Sequence, residues 1–412
     1  MKSSLRLIIS TVILATVLML CAITTCACTD GSNGLEYEVN SDGETCTITG
    51  LGTYSSKDLV IPDTIGSYKV TAIADRAFKD TDIETFSGGK NITKIGIGAF
   101  HNCKQLKRAL VPDGVTKLEG WCFQFCESLS DVTLPPYLVS IGYAAFAECS
   151  SLVTLDIPDT VLEIEEHAFD KCKNLSNVKL PPKLKSIETC VFFECLSLVT
   201  INIPETVIKI GDAAFAACQR ITSISIPNKV ETVGAFAFMG CQSLKEIIIP
   251  DSVTEIGQSA FSFCFSLTEI YFPASVTKIG TSPLAYTNLT SIDVDANSPI
   301  LSSIDGNLYH NGTIFLNYAG GKSDSYFSIP NGIIKIATES FVGCLNLKTL
   351  SIPQSVKFIG SQVFHYSPNI ETLYYDGTVD DWENITKMPD WNANTESIFT
   401  IICTDGTIAM DG

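Results

Sequence analysis

The sixteen cysteines of this 412-residue chain could carry chemistry, because thiols can form disulfides, bind metal ions or act as nucleophiles. Nine share one position at a recurring 23-residue spacing: Cys103, Cys126, Cys149, Cys172, Cys195, Cys218, Cys241, Cys264 and Cys344. Neighbouring copies would be close enough for disulfides by Cα distance, but equivalent side chains would point in parallel. The chain also lacks the C-x-x-C spacing of zinc and redox sites. We therefore expect reduced, buried thiols that pack as small hydrophobes, with no metal and no cofactor.

Other catalytic patterns are missing from the sequence. The four histidines, His101, His167, His310 and His365, are far apart and are not expected to meet at one site. The chain has no H-E-x-x-H, G-x-S-x-G or P-loop motif. We therefore predict that the protein is not an enzyme.

Two weaker patterns could bind a cation or carry sugar. Asp293-Val-Asp295-Ala-Asn297 is similar to the start of a calcium loop but lacks the glycine and glutamate that complete one, so a turn is expected. Glycosylation sequons, which matter only if the host modifies them, begin at Asn91, Asn174, Asn288, Asn311 and Asn384.

A 23-residue repeat organises the chain and must position all these side chains. The copy from Pro158 to Pro181 reads PDTVLEIEEHAFDKCKNLSNVKLP. Such a period predicts a solenoid, in which each coil buries its apolar residues only against its neighbours. The alternating end of each copy, L-x-x-I-x-I-P, predicts a strand, and successive strands should form a parallel sheet. About twelve coils are anchored by Phe78, Phe100, Phe123, Phe146, Phe169, Phe192, Phe215, Phe238, Phe261, Leu284, Phe341 and Phe364.

The unit P-x-x-V-x-x-I-x-x-x-A-F-x-x-C-x-x-L-x-x-I-x-I-P resembles the BspA-like subclass of leucine-rich repeats, from Leu59 to Tyr375. The resemblance implies a right-handed, mainly β solenoid with a parallel sheet on one face and short strands, helical turns and loops on the other. It also implies a protein usually found on a microbial cell surface, with binding or adhesion roles and no catalytic residues.

Residues 1–27 are predicted to be a secretory signal peptide, with a basic start, an apolar run from Leu7 to Leu20 and cleavage after Ala27. The alternative is a lipoprotein signal that would acylate Cys28 or Cys26. The apolar run is shorter than the ~20 residues that a membrane span needs. We therefore expect a secreted or surface-held mature chain, without membrane insertion other than a lipid anchor.

The rest of the chain divides into five expected segments. Residues 28–58 form a polar tether and a capping hairpin, 59–294 the solenoid, 295–330 a hairpin insertion within a coil, 331–375 the last repeats, and 376–412 a C-terminal cap. The insertion is predicted from strand-like segments on both sides of His310-Asn311-Gly312.

One patch departs from the pattern of the predicted sheet, whose solvent-facing positions are expected to form a concave face. Most of these positions carry small hydroxyl, amide or acidic side chains, which strand propensity and solubility explain. Ile248 and Tyr271, rimmed by Glu246 and Glu269, differ. Because an exposed aromatic beside an aliphatic side chain is typical of interface anchors, these four residues are the predicted ligand-binding site.

The charge balance restricts the partners. The chain has 45 acidic against 27 basic residues, which disfavours nucleic acid and anionic membranes. We predict a non-catalytic secreted or cell-surface protein, expected to be a monomer, that binds or adheres to a protein or glycan on another cell or in matrix. The alternative is a structural or self-associating envelope module without a foreign ligand.

Overall fold

The computed structural model describes residues 32–393 and 399–409. The predicted signal peptide and Cys28 lie outside the described residues. Within those ranges, each 23-residue unit is one turn of a solenoid with three sides. Two sides are rows of short parallel strands, here named the first and second sheet rows, and the third, the bend row, contains the Ala-Phe pairs.

The first sheet row consists of the strands that close each coil. Thr154 pairs with Asn177 and Asp156 with Lys179, so neighbouring strands keep the 23-residue register. In three-residue strands such as β12 and β14, the central residue points into the core and its two neighbours point to solvent. The strands are β3 (Asp58–Val60), β6 (Thr85–Ser87), β8 (Arg108–Leu110), β10 (Asp131–Thr133), β12 (Thr154–Asp156), β14 (Asn177–Lys179), β17 (Ser223–Ser225), β19 (Glu246–Ile248), β21 (Glu269–Phe272), β23 (Ser291–Val294), β27 (Tyr326–Ser328), β29 (Thr349–Ile352), β31 (Thr372–Tyr375) and β33 (Thr400–Ile402), with β34 (Thr407–Ala409) antiparallel to β33.

The second sheet row lies at the V-x-x-I part of the repeat, where most strands are only two residues long. Ser140 pairs with Glu163 and Ile141 with Ile164, again one period apart. The predicted architecture, a mainly β solenoid with a parallel sheet on one face and short strands on another, is confirmed. The strands are β2 (Thr45–Gly50), β5 (Tyr68–Ile73), β7 (Lys94–Ile95), β9 (Lys117–Leu118), β11 (Ser140–Ile141), β13 (Glu163–Ile164), β15 (Ser186–Ile187), β16 (Lys209–Ile210), β18 (Thr232–Val233), β20 (Glu255–Ile256), β22 (Lys278–Ile279), β26 (Ile314–Asn317), β28 (Lys335–Ile336), β30 (Phe358–Ile359) and β32 (Thr386–Lys387).

The bend row replaces strands with a repeated turn. Two residues per coil adopt the left-handed conformation: the residue two positions before the phenylalanine and the residue two positions after it. Around Phe169 these residues are His167 (φ 59°) and Lys171 (φ 55°). This conformation costs about 1–2 kcal/mol for a residue other than glycine. It directs alternate N–H groups at the next coil, so that the N–H groups of His167, Phe169 and Lys171 all donate to carbonyls one coil on.

The phenylalanines of the bend row form a continuous stack in the core. From Phe100 to Phe261, neighbouring ring centroids are 5.3 to 5.7 Å apart and the ring planes lie within 15° of parallel. A centroid distance larger than the strand spacing of about 4.8 Å shows that the rings are offset, the arrangement that aromatic quadrupoles favour. The stack therefore fixes the register of every coil that it passes through.

The nine repeated cysteines lie beside this stack, buried and free, as expected. The thiol of Cys172 donates to the carbonyl oxygen of Phe146, one coil earlier, over 3.1 Å. The same bond recurs in eight coils, from Cys103 to Cys264. In a coil without cysteine, the Ser367 hydroxyl donates to the Phe341 carbonyl instead. The thiol is therefore a small apolar side chain that also satisfies a buried acceptor.

The segment assigned to an insertion contains a coil that the sequence analysis missed. The N–H of Tyr318 donates to the Ser340 carbonyl over 2.8 Å. This is the hydrogen bond to the next coil that the N–H of Phe146 makes with the Ala168 carbonyl. Tyr318 stands 23 residues before Phe341 and takes the place of a phenylalanine. Residues 314–328 thus already follow the repeat, although they were assigned to the insertion, and the solenoid has a thirteenth anchored coil.

What remains of the insertion is a small antiparallel sheet formed by β24 (Leu301–Ile304), β25 (Asn307–His310) and β26. The Asn311-Gly312 turn joins β25 to β26, and β26 pairs in parallel with β28 of the second sheet row. Successive side chains of this hairpin point to opposite sides, as in any strand. Leu308 and Leu316 belong to the core before it, and Tyr309 and Phe315 to the core after it. The hairpin is therefore a wall between two cores.

Both ends of the solenoid are covered. At the N-terminal end, β1 (Glu36–Val39) pairs antiparallel with β2, which joins β5 of the second sheet row, and β4 (Thr64–Ile65) forms a short hairpin with β5. At the other end, the helix α1 (Val379–Glu383) begins with a capping box between Thr378 and Asp381 and buries Trp382. Both caps thus provide apolar side chains that a missing neighbouring coil would otherwise supply.

Glycines that follow the second-row strands are required by the close approach of neighbouring coils. A Cβ atom on Gly257 would lie 2.3 Å from the backbone nitrogen of Ala235. We expect Gly257→Ala to lower the free energy of unfolding by about 1–3 kcal/mol, the usual cost of overpacking, as measured by chemical denaturation. Glu119 stands at the equivalent position with room for its side chain, so Glu119→Ala is the matched control. Equal stability of the two variants would contradict this account.

The buried thiols predict a loss of stability at alkaline pH. Burial raises the pKa of Cys264 to about 12 and also raises the pKa of Cys218 and Cys241. The folded-state pKa lies above the unfolded value of about 8.5, so above that pH the thiol loses its proton only when the chain unfolds. The contribution of the buried thiol to folding stability is therefore complete below about pH 8.5 and is lost as pH rises. We expect the free energy of unfolding to fall above about pH 9, by up to about 1.4 kcal/mol per thiol per pH unit.

Chemical denaturation between pH 7.5 and 10.5 measures this slope. The double variant Cys218→Ser/Cys241→Ser should fold, because Ser367 already fills the equivalent position in another coil. Its stability should fall less steeply with pH than that of the unmodified protein. Parallel pH profiles would show that these thiols do not titrate on unfolding.

Candidate binding site

The four predicted ligand-binding residues lie together on the solvent side of the first sheet row. Glu246 and Ile248 flank the buried Ile247 in β19, and Glu269 and Tyr271 flank the buried Ile270 in β21. Strands β19 and β21 contact each other. Ile248 is 76% exposed, the highest value among large apolar side chains of the described residues, and Tyr271 is 47% exposed. We call these four residues the Ile248 patch.

The Tyr271 side chain is held by the segment that leads into the insertion. Its hydroxyl donates to the Asp295 carboxylate over 2.8 Å, and this bond raises the pKa of the tyrosine. The same carboxylate accepts the backbone and side-chain N–H groups of Asn297. Asp293, Asp295 and Asn297 thus belong to a turn that orients Tyr271, in line with the turn expected from the sequence.

The rim of the Ile248 patch is acidic. Within the part of the chain that the structure describes, neither Glu246 nor Glu269 makes an ion pair, whereas Arg108 and Asp131 on the same row are joined over 2.6 Å. The patch therefore combines an apolar centre with two free carboxylates, a surface complementary to basic and apolar groups.

The repeat pattern L-x-x-I-x-I-P, which runs from Leu347 to Pro353 in this coil, predicts that Ser351 faces solvent, and this prediction is wrong. Ser351 in β29 is only 8% exposed, because it is short and stands beside the large Tyr374 of the neighbouring β31. Elsewhere on the row, the alternation of apolar and polar residues in the sequence correctly predicted which side chains of most strands are exposed.

The histidines do not form a common site. His101 packs edge-on against Phe125, His167 bonds Asp170 over 3.1 Å, and His365 contacts Tyr286. His310 ends β25 of the hairpin. Among the described residues, no cluster of three His, Cys, Asp or Glu side chains could hold a metal ion. Of the five sequon asparagines, Asn91 is half-buried, and the exposed ones are Asn174, Asn288, Asn311 and Asn384.

Sequence reasoning missed a cleft on the bend row above Gly98. It is lined by Arg76, Lys79, Ile97, Gly98, His101, Trp121 and Gln124. The signal in the sequence was a glycine, Gly98, two positions before the phenylalanine of its coil. The flanking coils have Arg76 and Trp121 at the same position. These three residues form a column that becomes visible only once the coils are known to stack in register.

Comparisons with known proteins agree with this geometry. A family model described as the BspA type leucine-rich repeat region matches residues 71–199, 186–314 and 318–386, with six copies. A comparison with curated proteins found no match. In the described ranges, no helix has the length and apolar character of a membrane span.

Two solved structures are similar along most of the chain. A leucine-rich cell surface protein from Faecalibacterium prausnitzii A2-165 has 26% sequence identity and a TM-score of 0.59, covering 88% of this chain and 98% of that one. A leucine-rich repeat protein from Bacteroides ovatus ATCC 8483 shares the fold at 21% identity and a TM-score of 0.59, covering 92% of this chain and 100% of that one. Since the family model matches well over half of its residues, the chain belongs to the family of BspA-type leucine-rich repeat proteins.

Proposed function

We propose that this protein is a non-catalytic binding module of the cell surface or of the secreted fraction, which adheres to a partner through the Ile248 patch. The observation that carries the proposal is Ile248, 76% exposed beside a half-exposed tyrosine. On a row of mostly small polar side chains, such a pair is the kind of anchor that dominates binding energy at interfaces.

The geometry of the patch supports a pre-organised site. Tyr271 is fixed by Asp295, and the strands beneath the patch are anchored by buried isoleucines, so little conformational entropy is lost on binding. The free carboxylates of Glu246 and Glu269 favour a partner with basic groups around an apolar contact. A protein surface offers both, and a glycan is the second class of ligand to test.

The proposed location rests on two independent observations. Residues 1–27 have the composition of a signal peptide. The similar Faecalibacterium prausnitzii protein is described as a cell surface protein. Fractionation of the native cells should recover the protein in the envelope or the medium.

The Ile248 patch is tested with Ile248→Ser/Tyr271→Ser in the mature protein. Labelled protein is applied to arrays of extracellular matrix proteins and of glycans, and the Kd is measured for each saturable interaction. We expect the double substitution to weaken binding at least tenfold, because both anchors lose their apolar contact. The control is Leu110→Ser, which removes a side chain 47% exposed at the equivalent position of β8.

Three results would count against the proposal. Unchanged binding of the double variant would exclude the patch, and an equal loss in Leu110→Ser would indicate a non-specific effect of apolar surface. Self-association of the purified protein, without binding to any array, would favour a structural module of the envelope.

A further inference from the structure

The cleft above Gly98 has a volume of about 180 Å³ and lies on the bend row, on a different side of the coil from the Ile248 patch. Two stacked columns of side chains form it. The first column contains Arg76, Gly98 and Trp121, each two residues before the phenylalanine of its coil. In the second column, Lys79, His101 and Gln124 each follow that phenylalanine.

The cleft exists because one side chain is missing from the first column. Arg76, Gly98 and Trp121 all adopt the left-handed conformation, with φ between 57° and 59°. This conformation favours glycine, but the flanking coils show that larger residues are tolerated here. A Cβ atom on Gly98 would meet His101 at 3.5 Å and Arg76 at 3.6 Å. The glycine is thus the floor of a gap whose walls are Arg76 and Trp121.

The charged groups that line the gap are cationic. Arg76 and Lys79 are exposed, and no carboxylate is among the lining residues. Two aspartates flank the gap: Asp75 accepts the Ile97 N–H, whereas Asp80 accepts the Asn102 amide and lies 3.7 Å from the Lys79 ammonium group. Lys79 is therefore ion-paired, and Arg76 is the lining cation without an ion pair among the described residues. In a chain with an overall net charge of −18, the Arg76 guanidinium is thus a cation that an anionic group could pair with.

His101 supports the same assignment. Its Nδ1 atom is buried and has no hydrogen-bond partner among the described residues. Burial, followed by the charge of Lys79, lowers the pKa of the imidazole and so favours the neutral ring, although Asp80 and a hydrogen bond with Gln124 act in the opposite direction. A neutral ring can donate to or accept from a ligand hydroxyl.

Besides the polar Gln124, the remaining walls are the apolar side chains of Trp121 and Ile97, which a simple inorganic anion would not use. Trp121 is 39% exposed and packs edge-on against Tyr143 at 5.5 Å, and Ile97 is also exposed. An indole beside a guanidinium suits a ring that has both an apolar face and an anionic substituent. The volume is well below the roughly 300–1,000 Å³ of pockets for drug-sized ligands, so one ring of a longer molecule fits.

We propose that the cleft above Gly98 binds one acidic sugar unit of a glycan, with its carboxylate or sulfate on Arg76 and its ring against Trp121. This site is separate from the Ile248 patch and does not depend on the function proposed for it.

The test is calorimetric titration of the mature protein with a tetrasaccharide that contains glucuronate, at low salt. The matched ligand is the same tetrasaccharide with its carboxylates reduced to alcohols, and inorganic phosphate is the third probe. We expect saturable binding of the acidic tetrasaccharide and at least tenfold weaker binding of the reduced one. Phosphate should neither bind with comparable affinity nor displace the tetrasaccharide.

Four variants locate the site. Arg76→Ala, Trp121→Ala and Gly98→Phe should each weaken binding at least tenfold. Gly98→Phe fills the gap with a residue that the fold accepts, because Phe236 occupies the equivalent position at φ 59°. Arg108→Ala removes the same charge from the first sheet row and should bind like the unmodified protein. Circular dichroism and thermal melting verify that each variant is folded.

Several outcomes would overturn the proposal. No saturable binding of the acidic tetrasaccharide would do so, as would binding that Gly98→Phe leaves intact. Phosphate binding as tight as that of the tetrasaccharide, together with a harmless Trp121→Ala, would show a plain anion site. Loss of binding in Ile248→Ser/Tyr271→Ser, but not in Gly98→Phe, would show that the sugar binds to the first sheet row and not to the cleft.

Discussion

Every coil of this protein depends on its neighbours to bury its apolar side, and the offset stack of phenylalanine rings from Phe100 to Phe261 is where that dependence is strictest. A ring that slips by one position would lose contact with both neighbours and break the N–H bonds of the bend row. Register is therefore enforced at the same place in each turn. The left-handed residues beside each phenylalanine persist because the neighbouring coil supplies the hydrogen bonds that hold them.

This constraint explains how much could be predicted from the sequence. A 23-residue period, with Phe and Cys fixed within it, gives the solenoid, its sheet and the row of buried thiols. The coil anchored by Tyr318 was missed because it has tyrosine for phenylalanine and no cysteine, although its 23-residue distance from Phe341 was readable. Two-residue strands of the second sheet row are too short to show alternation. The cleft above Gly98 depends on which side chains stack across three coils, which no single repeat shows.

The same constraint suggests where specific recognition can arise. Positions that face the core must repeat, so a solenoid can change only its outer side chains without losing register. Two departures stand out, and each is surrounded by ordinary coils. Ile248 and Tyr271 add apolar groups to a polar row, and Gly98 removes a side chain from a filled column. In both cases the scaffold is rigid and the difference is local, the arrangement that makes a pre-organised binding site.

The hairpin formed by β25 and β26 is the exception to this continuity, and the energetics there differ. The buried core divides here into two clusters, and the stack of parallel phenylalanine rings has already ended at Leu284. The hydroxyls of Tyr309, Tyr318 and Ser340 are buried beside this wall without a hydrogen-bond partner among the described residues. Each unpaired hydroxyl costs about 1–3 kcal/mol. Because stability in a solenoid is roughly a sum of neighbour terms, we expect partial unfolding to divide the chain at this wall, between the two core clusters.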